Sequence, residues 1–175
     1  MDDLALLQDF ENSTELQIIP AVSDDYDQIW EIIQPIIRKG DTYVYDPKMT
    51  KEAMRAVWMS TNNRVYVARF GREVVGTYFI KDNQPGLGAH VANAGYMVHP
   101  EKRGQSIGRK MAEHSLQEAQ QIGYKAMQFN LVVSTNLPAI RLWKKLGFQQ
   151  VGILPKVFHH QEQGPVDALV MHRFL

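Results

Sequence analysis

A short basic turn, VHPEKRGQSIG at residues 98–108, carries the residue types that bind anionic oxygen atoms. The apolar run at 94–98 predicts a strand before the turn, and the helical spacing of apolar residues after it predicts a helix. A helix N-terminus has free backbone N–H groups and a positive dipole end, which together bind phosphate or diphosphate oxygens. Gly104 and Gly108 allow the backbone to approach such an anion closely, and Arg103 adds positive charge. The pattern favours a phosphate site, although an ordinary solvated turn between a strand and a helix has the same features.

The composition limits the class of protein. The 175 residues are 45% hydrophobic and 22% charged, which is typical of a globular protein. The 19 basic and 19 acidic residues cancel, so we expect neither nucleic acid nor an anionic membrane as a partner. No cysteine is present, which excludes disulfides, thiolate catalysis and cysteine-based zinc sites. No apolar run approaches the ~18 residues of a membrane span.

The first 14 residues are acidic and contain several leucines. This composition differs from that of signal and transit peptides, so we expect a cytoplasmic protein. We interpret residues 1–14 as an extension outside the core and residues 15–175 as a single domain. The apolar residues of the extension and the last strands are candidate contacts for a homodimer.

Hydrophobic periodicity predicts the element order β-α-α-β-β-β-α-β-α-β-β. The predicted strands are residues 15–22, 64–70, 73–81, 90–98, 126–133, 148–154 and 166–174. We expect Ser23 or Asp24 to cap the first helix and Pro35 to kink or break it. The β-α-β unit over 94–133 favours one parallel strand pair, whereas the strands before it favour antiparallel pairing. The predicted fold class is therefore α/β (α+β), a mixed and mainly antiparallel sheet of about seven strands with helices on both faces.

Four histidines near strand ends are further candidates for chemistry. His90 and His99 have the side chain of a general base, but a histidine at a strand end is usually only solvated. His159 and His160 are adjacent, yet no carboxylate at helical spacing and no third ligand accompanies them. We therefore predict no metal site.

Two segments, VHPEKRGQSIG at 98–108 and STNLPAIRLWKKLGF at 134–148, together resemble the GNAT superfamily of acetyl-CoA-dependent N-acetyltransferases. The resemblance extends over roughly residues 64–154. In this family a loop of the pattern R-x-x-G-x-G/A holds the CoA diphosphate, and Arg103, Gly104 and Gly108 match it. Ser106 stands at the position of the inner glycine, and its small side chain has a hydroxyl that is able to donate to a phosphate.

The resemblance implies a splayed pair of parallel strands, with the pantetheine arm of acetyl-CoA between them like an additional strand. Main-chain groups of Met97 and Val98 would then bond to this arm, and an N–H group near them would polarise the thioester carbonyl. Asn136 matches an asparagine near the cofactor, and it is equally suited to cap a helix. The residues expected at acetyl-CoA are Met97, Val98, Arg103, Gly104, Gln105, Ser106, Ile107, Gly108 and Asn136.

Several further segments resemble the fungal acetyltransferases that act on the proline analogue azetidine-2-carboxylate, including GTYFIKDNQPG at 76–86 and GYKAMQFNLVVSTN at 123–136. This likeness implies that Asn93 and Asn130 handle substrate, and we expect them to act in catalysis by holding a water that carries a proton. By pattern alone, an asparagine in an apolar strand such as that around Asn130 is more often an ordinary core amide. Thr42 and Tyr43 resemble an acceptor-side segment and are the expected substrate-binding residues, although Tyr43 also suits a core cap.

The usual proton donor of the family has no counterpart here. Many members have a tyrosine at the position of Trp143 as the acid for the leaving thiolate, and an indole cannot donate a proton in that way. The sequence favours direct transfer of acetyl from acetyl-CoA to a small amine or amino acid, and it leaves open a non-catalytic acyl-CoA-binding module. A dinucleotide-binding domain is disfavoured because the glycine turn lies mid-chain and no acidic residue closes the following strand.

Overall fold

The structure, a computed structural model, describes residues 14–175, so the predicted extension lies almost entirely outside the described residues. The strands are β1 (Leu16–Pro20), β2 (Arg64–Phe70), β3 (Glu73–Asp82), β4 (Val91–Val98), β5 (Ala126–Val133), β6 (Gln149–His160) and β7 (Gly164–Phe174). They form one sheet in the order β1-β2-β3-β4-β5-β7-β6. Only β4 and β5 are parallel among these neighbours, which confirms the predicted mixed sheet.

The helices are α1 (Tyr26–Lys39), α2 (Lys51–Trp58), α3 (Ile107–Ile122) and α4 (Leu137–Lys145). α1 and α2 pack on one face of the sheet, in a core that includes Ile29 and Trp58. α3 and α4 pack on the opposite face, in a core that includes Met111 and Trp143. Helices therefore lie on both faces, as predicted. No helix within residues 14–175 is long and apolar enough to span a membrane.

Pro35 lies inside α1 without ending it, so the predicted break at Pro35 is wrong. A proline removes one hydrogen bond of a helix and leaves one carbonyl unpaired. Pro35 is on the exposed side of α1, where water can reach that carbonyl, while the isoleucines of the opposite side are buried. The buried stripe keeps the helix continuous as far as Gly40, whose φ of 61° ends it in the left-handed conformation.

The start of α1 also differs from the prediction. A turn of 3-10 helix at Ser23–Asp25 precedes it, and neither Ser23 nor Asp24 supplies a cap. The carboxylate of Asp25 accepts a hydrogen bond of 2.9 Å from the N–H of Val22 instead. This bond fixes the entry of the chain into α1.

β6 extends to His160 instead of ending near Leu154, because a bulge carries the strand past Pro155. At the bulge Lys156 has φ 48°, and its N–H donates to Oδ1 of Asp167 at 2.8 Å. The N–H group at the bulge thus has a hydrogen-bond partner in a side chain of β7, and β6 pairs with β7 again beyond the bulge.

Candidate active site

β4 and β5 are paired only at their first residues. Val91 aligns with Ala126 and Ala92 aligns with Met127, and no later residues of the two strands are paired. Beyond this point β5 remains paired with β7 on its other side. The divergence opens a cleft of about 1160 Å³, which extends from the turn before α3 to the loop after α1. The parallel strand pair is therefore splayed, as predicted.

The register between β3 and β4 decides which backbone groups face the cleft. In an antiparallel pair, hydrogen-bonded and non-hydrogen-bonded residues alternate. The N–H of His99 bonds to the carbonyl of Val75 at 2.9 Å, and Met97 is the next residue of β4 in the same phase. The odd-numbered residues of β4 therefore direct their N–H and C=O groups toward β3. The residues whose backbone groups face the cleft are Ala94, Tyr96 and Val98.

This alternation separates the two residues that we expected to bond to the pantetheine arm. Val98 directs its main chain into the cleft, so the predicted contact is available to it. Met97 lies opposite Thr77 and directs its main chain toward β3, so the main-chain role predicted for Met97 is wrong. The buried Met97 side chain remains part of the cleft wall.

Two residues of the turn before α3 are in the left-handed region, Gly104 at φ 84° and Ser106 at φ 60°. A Cβ at Gly104 would contact no other part of the protein, so glycine is favoured there by backbone conformation rather than by space. Ser106 has a glycine-like conformation, which costs a non-glycine residue roughly 1–2 kcal/mol. The turn therefore keeps the backbone of the glycine-rich pattern even though a serine replaces the inner glycine.

The N-terminus of α3 has free backbone N–H groups and a positive charge that no acidic residue of its first turn neutralises. Ser106 makes no side-chain cap, and the first turn contains no acidic residue. The N–H of Lys110 is the first to bond back, to the carbonyl of Ser106 at 3.0 Å. Arg103 forms no ion pair within residues 14–175, whereas Lys102 pairs with Glu73 at 2.9 Å. Among residues 14–175, three N–H groups of this turn have no backbone partner, those of Ile107, Gly108 and Arg109.

Asn130 is exposed in the cleft, so it is not a core amide. Its Nδ2 donates to Oδ1 of Asn83 at 2.7 Å, and its Oδ1 accepts from Nε2 of Gln128 at 2.9 Å. Asn93 lines the same cleft from β4, and its half-buried side chain has no hydrogen bond within the described residues. The two asparagines therefore stand on the two diverging strands, one held by neighbours and the other free.

Asn136 and Trp143 approach the cleft from the side of α4. Oδ1 of Asn136 accepts from the N–H of Ala139 at 3.3 Å, so the cap function is present, and the residue also lines the cleft. The ring of Trp143 packs 4.6 Å from the ring of Phe129 and 5.0 Å from that of Tyr96, measured between centroids. Trp143 is thus a packed wall residue without an ionisable group.

The loop after α1 closes the far end of the cleft. Thr42 and Tyr43 line it there, and the loop is tied to the β6–β7 turn because the N–H of Gln161 donates to the carbonyl of Gly40 at 3.1 Å. The ring of Tyr43 stacks on that of Tyr45 with centroids 5.8 Å apart. Burial raises the pKa of Tyr43 well above its ordinary value, so its hydroxyl stays protonated at neutral pH.

The structure adds ionisable residues that sequence reasoning missed. Lys81 of β3 lies opposite Asn93, and its Nζ is 5.7 Å from the centroid of the Phe79 ring. His160, which was considered above only as a metal ligand, lines the cleft from the end of β6, and Glu162 lines it from the β6–β7 turn. In the sequence, Lys81 is only a charged residue after the buried run of β3, and this position did not reveal that its side chain lines the cleft. Within residues 14–175, no group of three His, Asp or Glu side chains is arranged to hold a metal ion.

With one exception, Gln105, the residues that we expected at the site line a single cleft. Apart from the main-chain role of Met97, their roles remain predictions, but the fold brings together segments from both halves of the chain. The cleft-lining members of the predicted set are Thr42, Tyr43, Asn93, Met97, Val98, Arg103, Gly104, Ser106, Ile107, Gly108, Asn130 and Asn136.

These residues fit an acyl-CoA. Free N–H groups and an unpaired arginine suit a diphosphate at the start of α3. The cleft-facing edge of β4 suits an extended amide-containing arm, which would pair with it as a strand does.

Comparisons with known proteins agree with this fit. Residues 26–148 match the acetyltransferase (GNAT) family. A GCN5-related N-acetyltransferase from Kribbella flavida is 40% identical, with a TM-score of 0.87 over 91% of this chain and 98% of that chain. The protein YncA from Salmonella typhimurium, solved with its cofactor acetyl-CoA, has the same fold at 23% identity, with a TM-score of 0.81 over 93% of this chain and 95% of that chain.

The N-acetyltransferase aca1 of Schizosaccharomyces pombe is 40% identical over 98 residues, which are 55% of this chain and 47% of that protein. The chain thus spans less than half the length of the curated relatives that it matches. The family match nevertheless covers most of the described residues, and the Kribbella flavida structure is matched almost from end to end. This chain belongs to the GNAT family of acetyltransferases.

Proposed function

We propose that this protein transfers the acetyl group of acetyl-CoA to the amine of a small molecule, by direct transfer in a ternary complex in the cytoplasm. One observation carries the proposal: β4 and β5 separate directly beside the free N-terminus of α3. A diphosphate at α3 and a pantetheine arm along β4 would form one continuous binding path. Few ligands other than an acyl-CoA have both groups in this order.

The proposed contacts to acetyl-CoA fall into two sets, those to its diphosphate and those to its pantetheine arm. Arg103, Ser106 and the first N–H groups of α3 would hold the diphosphate. The cleft-facing main chain of Val98 would bond to the arm, and an N–H group of this edge would polarise the thioester carbonyl. Asn136 is assigned to the same path because it lines the cleft from the start of α4.

The proposed chemistry depends on positioning and on one proton transfer. Acetyl transfer needs a neutral amine, a polarised carbonyl and close approach, and oriented groups reach effective molarities of ~10⁵ M or more. Asn93 and Asn130 stand on the two strands that separate, so a water between them would contact the acceptor. The carboxamides cannot accept the proton themselves, and the water carries it.

The proposed acceptor is an amino acid or a proline analogue. Thr42 and Tyr43 would form its wall on the side of α1. The ammonium group of Lys81 supports an acceptor with a carboxylate, because it faces the cleft and has no anionic partner within residues 14–175. A carboxylate on the acceptor would pair with the ammonium group of Lys81.

The proposal is tested by measuring CoA release with acetyl-CoA and a panel of amines that includes proline analogues and matched amino-acid amides. Turnover is expected with a subset of the panel, and carboxylates are expected to react faster than their amides. No release above the rate of hydrolysis with any amine, from a preparation that binds acetyl-CoA, would contradict the proposal.

One observation favours a second candidate, a non-catalytic acyl-CoA-binding module. Trp143 occupies the position at which many GNAT enzymes have a proton-donating tyrosine, while the residues proposed to bind acetyl-CoA line the cleft. Such a module would bind acetyl-CoA in calorimetry with an affinity that no amine in the panel changes, and it would release no CoA.

We also propose a homodimer that uses the edge of the sheet. β6 is an edge strand, and its exposed apolar residues are Val151 at 59%, Ile153 at 55% and Val157 at 47% exposure. A second copy would cover them. Sedimentation of the wild type and of Ile153→Lys is expected to give a dimer and a monomer, and a monomeric wild type would contradict the proposal.

A further inference from the structure

The hydroxyl of Tyr43 holds the backbone of Tyr96 in the cleft. It accepts a hydrogen bond of 2.8 Å from the N–H of Tyr96 and donates one of 2.5 Å to the carbonyl of the same residue. Tyr96 lies in the part of β4 that has lost its partner strand, so these two groups would otherwise face the cleft unpaired. A side chain 53 residues away thus satisfies both groups at once.

The position of this hydroxyl coincides with the path of the acyl donor. An extended arm that pairs with β4 must bond to the cleft-facing groups of Val98 and then of Tyr96, because successive groups on one strand edge are two residues apart. The donor therefore competes with Tyr43 for Tyr96. When the acyl donor displaces Tyr43 from the backbone of Tyr96, the Tyr43 hydroxyl is released beside the reacting end of the pantetheine arm.

We propose that Tyr43 exchanges its bonds to Tyr96 for the acyl donor and then gives its proton to the departing sulfur. This inference rests on the proposed function. The amine nitrogen bonds to the carbonyl carbon, the C–S bond breaks, and its electron pair stays on sulfur. The O–H proton of Tyr43 moves to that sulfur and forms the free thiol. The proton lost by the amine returns through water to the phenolate oxygen, so no other reactant is consumed.

Other groups of the cleft are less suited to this step. Trp143 has no ionisable proton. The hydroxyl of Tyr96 bonds to Oγ of Ser115 at 2.7 Å, on the side of α3 and away from the cleft-facing backbone. The ring of His160 accepts a hydrogen bond from the N–H of Glu162 at 3.1 Å in the β6–β7 turn. Tyr43 alone among these groups has its hydroxyl on the β4 edge.

The test compares Tyr43→Phe with Tyr26→Phe. Both variants remove a hydroxyl that donates to a backbone carbonyl, since Tyr26 bonds to the carbonyl of Lys51 at 2.8 Å, but Tyr26 lies outside the cleft. Acetyl-CoA affinity is measured by calorimetry, kcat and the KM of the acceptor by CoA release, and exchange of the Tyr96 amide hydrogen by mass spectrometry or NMR.

Tyr43→Phe is expected to lower kcat by about 100-fold, the lower range of the effect of a general acid, with little change in the KM of the acceptor. Its affinity for acetyl-CoA is expected to equal or exceed that of the wild type, because a competitor for Tyr96 is gone. Exchange of the Tyr96 amide hydrogen is expected to be faster only in the donor-free variant. Tyr26→Phe is expected to match the wild type in all three measurements.

Undiminished kcat in Tyr43→Phe would overturn the proton-transfer role, and weaker binding of acetyl-CoA would overturn the exchange. If the wild type turns over none of the amines, the proposed function fails and the proton transfer fails with it. In that case the measurements of acetyl-CoA affinity and of Tyr96 amide hydrogen exchange still show whether the acyl donor displaces Tyr43 from Tyr96, because they need no acceptor.

Discussion

Asn130 and Asn83 are joined by a hydrogen bond of 2.7 Å from the amide nitrogen of Asn130 to the amide oxygen of Asn83. Gln128 donates to the other end of the Asn130 carboxamide at 2.9 Å. The exposed side chain is thus held from both sides where β5 leaves β4. This arrangement orients the carboxamide without burying it, which suits a group that positions a water or an acceptor.

Asn130→Ala is expected to lower kcat by at least about 10-fold while acetyl-CoA affinity stays near that of the wild type, because the amide is needed for the proton transfer rather than for the donor. Asn83→Ala is expected to cause a smaller loss, since it removes only the support. Steady-state kinetics and calorimetry measure the two effects. Full kcat in a folded Asn130→Ala protein would exclude the role of Asn130.

Arg103→Ala is expected to weaken acetyl-CoA binding by about 1–3 kcal/mol, because it removes a charge-assisted bond to the diphosphate. The loss should shrink as salt is added, since the arginine is exposed. Arg38→Ala, which removes an exposed arginine of α1 outside the cleft, is the control and should bind normally. Equal affinities of Arg103→Ala and the wild type in calorimetry would argue against a diphosphate at this turn.

Ser106 is expected to tolerate glycine but not valine. Ser106→Gly fits φ 60° without strain, so it should keep acetyl-CoA affinity within a few fold. Ser106→Val places a β-branched side chain in the left-handed region, which it adopts less readily than serine does, and should therefore lower the free energy of unfolding. Denaturant unfolding and calorimetry check both expectations. A valine variant as stable as the wild type would mean that the turn does not need this conformation.

The stability of the protein is expected to fall below neutral pH partly because of His114. Burial lowers the pKa of His114, a neighbouring Glu118 opposes this effect, and the ring bonds to the hydroxyl of Tyr78 at 2.6 Å. A histidine whose pKa is lower in the folded state binds protons more readily when unfolded, so its contribution is intact above a pH of about 6.5 and is lost as the pH falls.

Thermal melts of the wild type and His114→Gln between about pH 7 and pH 5 test this expectation. The glutamine keeps a polar partner for Tyr78 but does not titrate in this range. The Tm of the wild type should therefore fall more steeply with pH than the Tm of the variant. Parallel curves would show that other groups cause the acid sensitivity.

Local patterns in the sequence were sufficient for the order of the elements and for the glycine-containing turn before α3. Apolar periodicity determines which faces of a strand or helix are buried, and it predicted the seven strands and the two-sided packing. The turn at 103–106 was recognisable because a basic residue, a glycine and a helix start follow one another within a few residues. The helix cap at Asn136 was recognisable for the same reason, because Asn136 caps an N–H group only three residues further along the chain.

The tertiary structure decided which partner each polar group finds. The register against β3 turned the main chain of Met97 away from the cleft, and a bulge supported by Asp167 extended β6 past Pro155. The bonds from Tyr43 to Tyr96 and from Asn130 to Asn83 join residues 53 and 47 positions apart. The sequence alone determined the order of the elements, the turn before α3 and the cap at Asn136, because each depends on residues close together in the chain. These long-range pairs depend on strand register and loop packing, which no short stretch of residues encodes.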